Sequence, residues 1–295
     1  MSRRYDQSTT TFSPEGRLHQ VEYAIEAINV AGTCVGLQSQ EGIVLAAERR
    51  VVSKLLAPSK SSEKTFTLDD HLVCLVAGLT ADANILVQEA RVASQRWVCH
   101  IVLGRVNSPI FHQDHILLTT CTQNFNNPFI VKRYLYRFQE PMPIEQLVKH
   151  VCNYKQHVTQ YGGLRPYGVA FVFAGWDRYH GFQVYQSDPS GNFSGWRATV
   201  IGQNNQAGKS ILKTDYKENS SVSDNLKLAI KIMLKTMDST TPTPERIELS
   251  KMVRLTDGSV SHVVLSDAEV AVLIESVKKE LDAEAAKESA STGDL

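Results

Sequence analysis

The sequence predicts two β-sheets covered by helices on both outer sides, an α/β or α+β arrangement. Three observations predict it. Strand-like runs come in pairs joined by short turns, at Gln40-Glu41-Gly42, Asp69-Asp70 and Asp257-Gly258. Amphipathic helical stripes separate these pairs. The order of elements is helix, strands, two helices, strands, helices, strands, helix, which suits sheets sandwiched between helical layers.

The first element is the run FSPEGRLHQVEYAIEAI, Phe12 to Ile28. Ser13 is the expected cap, Pro14 suits a first turn, and Glu15 suits the positive end of a helix dipole. Gly16 weakens that turn, so the helix is expected from Arg17. Leu18, Val21, Ile25 and Ile28 recur on one face, opposite Gln20, Glu22 and Glu26. Strands are expected at Cys34 to Leu37, Ile43 to Ala46, Thr65 to Leu68 and Leu72 to Ala77, with a polar loop over 53–63.

Thr80 and Asp82 open a helix with Leu86, Ala90, Ala93 and Trp97 inward. A second starts at Pro143, carries Ile144, Leu147, Val151 and Val158, and stops at Gly162-Gly163. Strands follow at Val169 to Ala174, Phe182 to Gln186 and Trp196 to Ile201, with the turn DPSGN from Asp188 to Asn192. Of the next two helices, the better defined carries Val222, Leu226, Ala229, Met233 and Met237. Strands near Ile247 to Leu255 and Val260 to Leu265 precede a last helix, opened by the capping-box pair Ser266 and Glu269. Beyond Leu281 the Ala, Glu, Lys and Ser composition reads as a disordered tail, 282–295.

Composition narrows the function. The 295 residues carry 31 Lys plus Arg against 31 Asp plus Glu, a formal net charge of zero. That argues against binding driven by phosphate neutralisation and against a polybasic membrane anchor. No apolar stretch approaches the roughly 20 residues of a membrane helix. The N-terminus lacks the apolar core of a secretory signal. Five scattered cysteines read as reduced thiols of a cytosolic or nuclear protein.

The wording of the N-terminal run is more specific than its period. SRRYD, then TT, then FSPEGRL and QVEYA resembles the signature of the α-type subunits of the 20S proteasome. GGLRPYGV (Gly162 to Val169) and YQSDPSGNFSGW (Tyr185 to Trp196) resemble further segments of that family, and the resemblance reaches about Val277. It implies the four-layer αββα sandwich of the N-terminal-nucleophile hydrolases. The first helix is expected across the top of the sandwich, in the cleft that is open in β subunits. The expected divisions are a gate segment and helix at 1–31, the sandwich domain at 32–281, and the tail.

Residues 97–133 interrupt this pattern. The segment has four charged residues in 37, and its apolar residues do not hold a helical phase for long. Joining Arg96 to Tyr134 places Tyr134 four positions after Ala93 and Phe138 four further on, restoring the helical stripe. The segment is an insertion within one helix or a stretch absent from the working protein, such as a retained intron; the latter is the favoured expectation, because long structureless loops are rare in compact domains. Cys99, His100, His112, His115 and Cys121 are zinc-ligand types, but their spacings fit no common zinc pattern. No metal and no cofactor is expected.

The resemblance also implies roles. In catalytic β subunits a threonine freed at the chain's N-terminus attacks the peptide, beside a lysine and an acidic residue. Aligning AGTCVG and AAERR with that pattern puts Gly32 at the nucleophile position, Glu48 at the acid and Lys64 at the lysine. Glycine has no hydroxyl, and Thr33 is mid-chain, so no catalytic residue is expected. The gate cluster of the α family falls on Tyr5, Asp6, Pro14 and Tyr23. The pocket that receives activator tails falls on Arg17, Lys64, Gly78 and Leu79, with the lysine meeting the tail carboxylate. Gln7 stands where many α subunits have arginine. The implied partners are other α subunits in a heteroheptameric ring, β subunits and regulatory-particle ATPase tails, with no nucleic acid and no membrane.

Overall fold

The computed structural model describes residues 6, 8–49, 64–96, 141–237 and 243–292. The expected polar loop at 53–63 and the segment 97–133 lie outside them, as do Tyr5, Gln7 and Trp97.

Among the described residues, ten strands form two antiparallel five-stranded sheets. The first sheet joins β1 (Cys34–Gln38), β2 (Gly42–Glu48), β8 (Ala198–Ile201), β9 (Ile247–Arg254) and β10 (Val260–Val264) in the order β10-β9-β2-β1-β8. The second joins β3 (Thr65–Asp69), β4 (Leu72–Gly78), β5 (Val169–Asp177), β6 (Gly181–Ser187) and β7 (Phe193–Trp196) in sequential order. The helices are α1 (His19–Asn29), α2 (Thr80–Arg96), α3 (Ile144–Gln160), α4 (Asn205–Asp215), α5 (Val222–Thr236) and α6 (Asp267–Thr292).

Three apolar layers identify the expected αββα sandwich. Leu72, Cys74, Val76, Phe171 and Phe173 pack outward against α2 and α3. Val35, Leu37, Val44, Ala46 and Leu249 pack outward against α4, α5 and α6. Between the sheets lie Ile43, Leu45, Ala47, Val73, Leu75, Ala77, Ala170 and Val172. Successive side chains of a strand point to opposite faces, and here both faces are covered. That is why β2 and β4 read as continuous apolar runs although their sheets are antiparallel.

The inter-sheet layer is thin at Gly36, where a β-carbon would stand 2.8 Å from Val172 Cγ1. Burying apolar area at about 25 cal/mol per Å² drives the collapse of all three layers.

Four expectations are corrected. Helix α1 starts at His19, not Arg17. Ser13 instead closes a turn: its hydroxyl accepts from Arg17 N at 3.1 Å and its carbonyl from Gly16 N at 2.9 Å. Gly16, at φ +76°, is left-handed and cannot propagate a helix through that turn.

On α1, Val21 and Ile28 are buried, but Ile25 is 37 % exposed and lies off the inward line.

The run Trp196 to Ile201 is not one strand. It breaks at Arg197, where β7 pairs with β6 in one sheet and β8 pairs with β1 in the other.

The reading of a disordered tail from 282 gives way to helix as far as Thr292. Ala, Glu and Lys are strong helix formers, so the composition that reads as polar also propagates α6. The capping box does form, with Ser266 N donating to Glu269 Oε2 at 2.8 Å.

Candidate functional site

The hairpin β1–β2 builds the first half of the site. Its register pairs Cys34 with Ala47, and Glu48 N donates to Thr33 O at 2.8 Å. Glu48 therefore lies directly across from Thr33, and its Oε2 accepts from Thr33 N at 3.1 Å. Lys64 comes from the other sheet, where its carbonyl accepts from Val76 N at 3.0 Å. Its Nζ donates to Gly32 O at 3.3 Å. The three positions that the resemblance aligns with a nucleophile, an acid and a lysine thus meet in space.

The nucleophile is missing from that constellation. A β-carbon at Gly32 would stand 2.7 Å from Lys64 Nζ and 3.2 Å from Glu48 Oε2. Thr33 cannot substitute, because its hydroxyl is buried and donates to Gln203 O at 3.0 Å. Cys34, the next residue, is fully buried, and burial pushes its thiol up to about 11 despite the nearby Lys64 ammonium. It stays protonated. The site thus brings together the Lys64 ammonium and the Glu48 carboxylate around Gly32, which has no side chain.

Helix α1 packs against β4 and β5 and inserts Ile28 between the sheets. On its N-terminal side the carbonyl of Asp6 accepts from Gln20 Nε2. Pro14 is exposed in the turn closed by Ser13. Tyr23 is 43 % exposed, with His19 stacked 6.2 Å away. Asp6, Pro14 and Tyr23 thus lie on α1 and the segment leading into it. Of the expected tail-pocket residues, Gly78 and Leu79 sit together at the end of β4, Lys64 turns to Gly32, and Arg17 pairs with Glu22 at 3.1 Å. No hydrogen bond or ion pair among the described residues joins Arg17 to Lys64 or to Gly78.

A sequence model described as "Proteasome subunit" matches residues 28–105 and 120–252. A second, for the N-terminal signature of the A-type proteasome subunits, matches residues 5–27. The chain belongs to the proteasome subunit family. It is 49 % identical over 266 residues to the proteasome alpha type-4 subunit of Spinacia oleracea, covering 90 % of this chain and 92 % of the relative. It is 47 % identical over 274 residues to the proteasome alpha type-4-A subunit of Arabidopsis thaliana, covering 93 % and 95 %. A Dictyostelium discoideum alpha type-4 is 48 % identical over 89 % of this chain and 91 % of the relative. The N-terminal signature makes the chain an α-type proteasome subunit. The break in the family match, 106–119, falls inside the interrupting segment 97–133.

Two features of this proteasome subunit escape a reading of sequence. Glu248 on β9 is buried, and its Oε1 accepts from Thr65 N at 3.0 Å while Oε2 accepts from Lys64 N at 3.4 Å. One carboxylate of the first sheet thereby fixes the second sheet where Lys64 enters it. Arg49 Nε lies 3.5 Å from the same group. The available signal was a lone carboxylate in the strand IELSKMVR, at a phase shared with the apolar Met252.

The second feature is Arg165, in the family segment GGLRPYGV. It forms two hydrogen bonds to Asp82, at 2.6 and 2.7 Å. Asp82 also accepts from Gly168 N at 3.1 Å, and Gly168 O accepts from Leu79 N at 3.0 Å. That chain of bonds pins Gly78 and Leu79. Gly78 sits at φ +127°, where a β-carbon would meet Gly168 O at 2.1 Å, so this position admits only glycine.

Proposed function

We propose that the chain is a non-catalytic subunit of the α ring of a 20S proteasome core particle, at the α3 position. The observation that carries this is Gly32, which leaves the nucleophile position of the fold without a side chain between Lys64 and Glu48. The similarity to alpha type-4 relatives supports the ring position. The work of the subunit is then assembly, gating and docking. Two α subunits flank it in a heteroheptameric ring, and a β subunit lies below. Tyr5, Asp6, Pro14 and Tyr23 serve the gate at the axial pore. Lys64, with Arg17, Gly78 and Leu79, receives the tails of regulatory-particle ATPases. The setting is ubiquitin-dependent protein degradation in cytoplasm and nucleus, with no cofactor, nucleic acid or membrane involved.

The test is size fractionation of the native protein from its own cells, followed by peptide mass spectrometry. The expected result is recovery in a particle of several hundred kilodaltons together with other α and β subunits. A peptide joining Arg96 to Tyr134 is expected in that particle, as 97–133 would then be absent from the working protein. Recovery of the chain only as a small free species, or peptide hydrolysis by the isolated chain that Thr33→Ala abolishes, overturns the proposal.

A further inference from the structure

We infer that Gly32 is a positioning residue for Lys64: the missing side chain opens a berth that the lysine's own ammonium fills. The point where a β-carbon at residue 32 would stand lies 2.7 Å from Lys64 Nζ. No carbon and ammonium nitrogen share that space, so any side chain at 32 displaces the lysine head. The same point lies 3.2 Å from Glu48 Oε2 and from the Glu48 carbonyl, so acceptors surround it. The ammonium donates to Gly32 O at 3.3 Å. Gly202 packs against the same carbonyl, since its own β-carbon would stand 2.7 Å from Gly32 O.

The lysine is presented to this berth rather than wandering into it. Its backbone is held on both edges, by Val76 N donating to its carbonyl at 3.0 Å and by Glu248 accepting from its amide at 3.4 Å. Only the flexible stem can move. Filling the berth also replaces contacts that a vacant site would lose, and it satisfies the Gly32 carbonyl in a partly buried setting. Lys64 is thus withdrawn into the site a nucleophile would occupy, and a carboxylate arriving from outside must draw it out. The docking part of this inference rests on the proposed reading of Lys64 as a tail receptor; the packing part does not.

The test measures lysine reactivity, not activity. The full-length chain and its Gly32→Ala variant are pulsed with acetic anhydride, and acetylation at each lysine is read by mass spectrometry. Alanine displaces the end of a flexible side chain, while the Glu48 carbonyl, 3.2 Å from the same point, must give by only a few tenths of an ångström. In the unsubstituted chain Lys64 should acetylate more slowly than the exposed Lys213 and Lys217. Gly32→Ala should raise the Lys64 rate about tenfold, the factor that corresponds to the low end of what one hydrogen bond from a charged donor is worth, and leave Lys213 and Lys217 unchanged. Equal Lys64 rates in the two proteins overturn the inference. So does a Lys64 in the unsubstituted chain that reacts as fast as Lys213, a result that needs no folded variant. A peptide ending in a free carboxylate separates the two readings. If it neither protects Lys64 nor binds more tightly to Gly32→Ala, tail docking fails while the berth stands.

Discussion

Arg165 grips Asp82 with both arms of its guanidinium, at 2.6 and 2.7 Å, across the junction between the start of α2 and the loop into β5. The arginine is 64 % exposed and the carboxylate 5 %. The hydrogen bonds from Arg165 hold the Asp82 carboxyl below the usual carboxylate range, outweighing the opposing effect of burial. A depressed carboxylate stabilises above its unfolded pKa, and that contribution is lost as pH falls through the folded value. Asp82→Asn should cost about 1–2 kcal/mol at pH 7, because Gly168 N and Arg165 lose a charged acceptor. The cost should shrink below the pH at which Asp82 protonates. Urea unfolding of both proteins at pH 7 and in acid checks this; a pH-independent difference would refute it.

Lys155 is fully buried on α3, donating to Val169 O at 3.0 Å and to Ser187 Oγ at 2.9 Å, with the Phe171 ring 4.7 Å from its ammonium. Burial pushes its pKa down to about 8 from the ordinary 10.5. Between those values the unfolded chain binds the extra proton, so stability at this group rises with pH across that window. Lys155→Met lacks the dependence. Relative to that variant, the unsubstituted chain should gain about 2–3 kcal/mol between pH 8 and 10. Parallel stability curves for the two proteins would count against the assignment.

Glu248→Ala should be among the costlier single changes in the sandwich, at about 3 kcal/mol, since Thr65 N and Lys64 N lose their acceptor in a buried place. Hydrogen exchange should rise first at those two amides. Exchange that rises evenly over both sheets would show that Glu248 does not hold β3 locally.

Gly36→Val should destabilise by about 1–3 kcal/mol through overpacking. The new side chain would enter the inter-sheet layer, where a β-carbon already stands 2.8 Å from Val172 Cγ1. Pairing it with Val172→Ala should recover part of the loss. Thermal unfolding of the single and double variants measures the coupling, and strict additivity would exclude direct contact.

Local signals in the sequence determined the order of the elements, the turns at Asp69-Asp70 and Asp257-Gly258, and the cap at Ser266 with Glu269. Each depends on neighbours a few residues apart, and the structure keeps each one. The N-terminal signature likewise sufficed for the family. The continuous run from Trp196 to Ile201 carries no mark of its break. Only pairing with β6 on one side of Arg197 and with β1 on the other splits it between sheets. The site is the clearer case. Gly32, Glu48, Lys64 and Glu248 are far apart in the chain and individually unremarkable. Family likeness nominated the first three, but their approach, the berth taken by Lys64 and the bracing by Glu248 come from sheet register. Register is set by which strands bury their apolar faces together, a non-local choice that no single segment encodes.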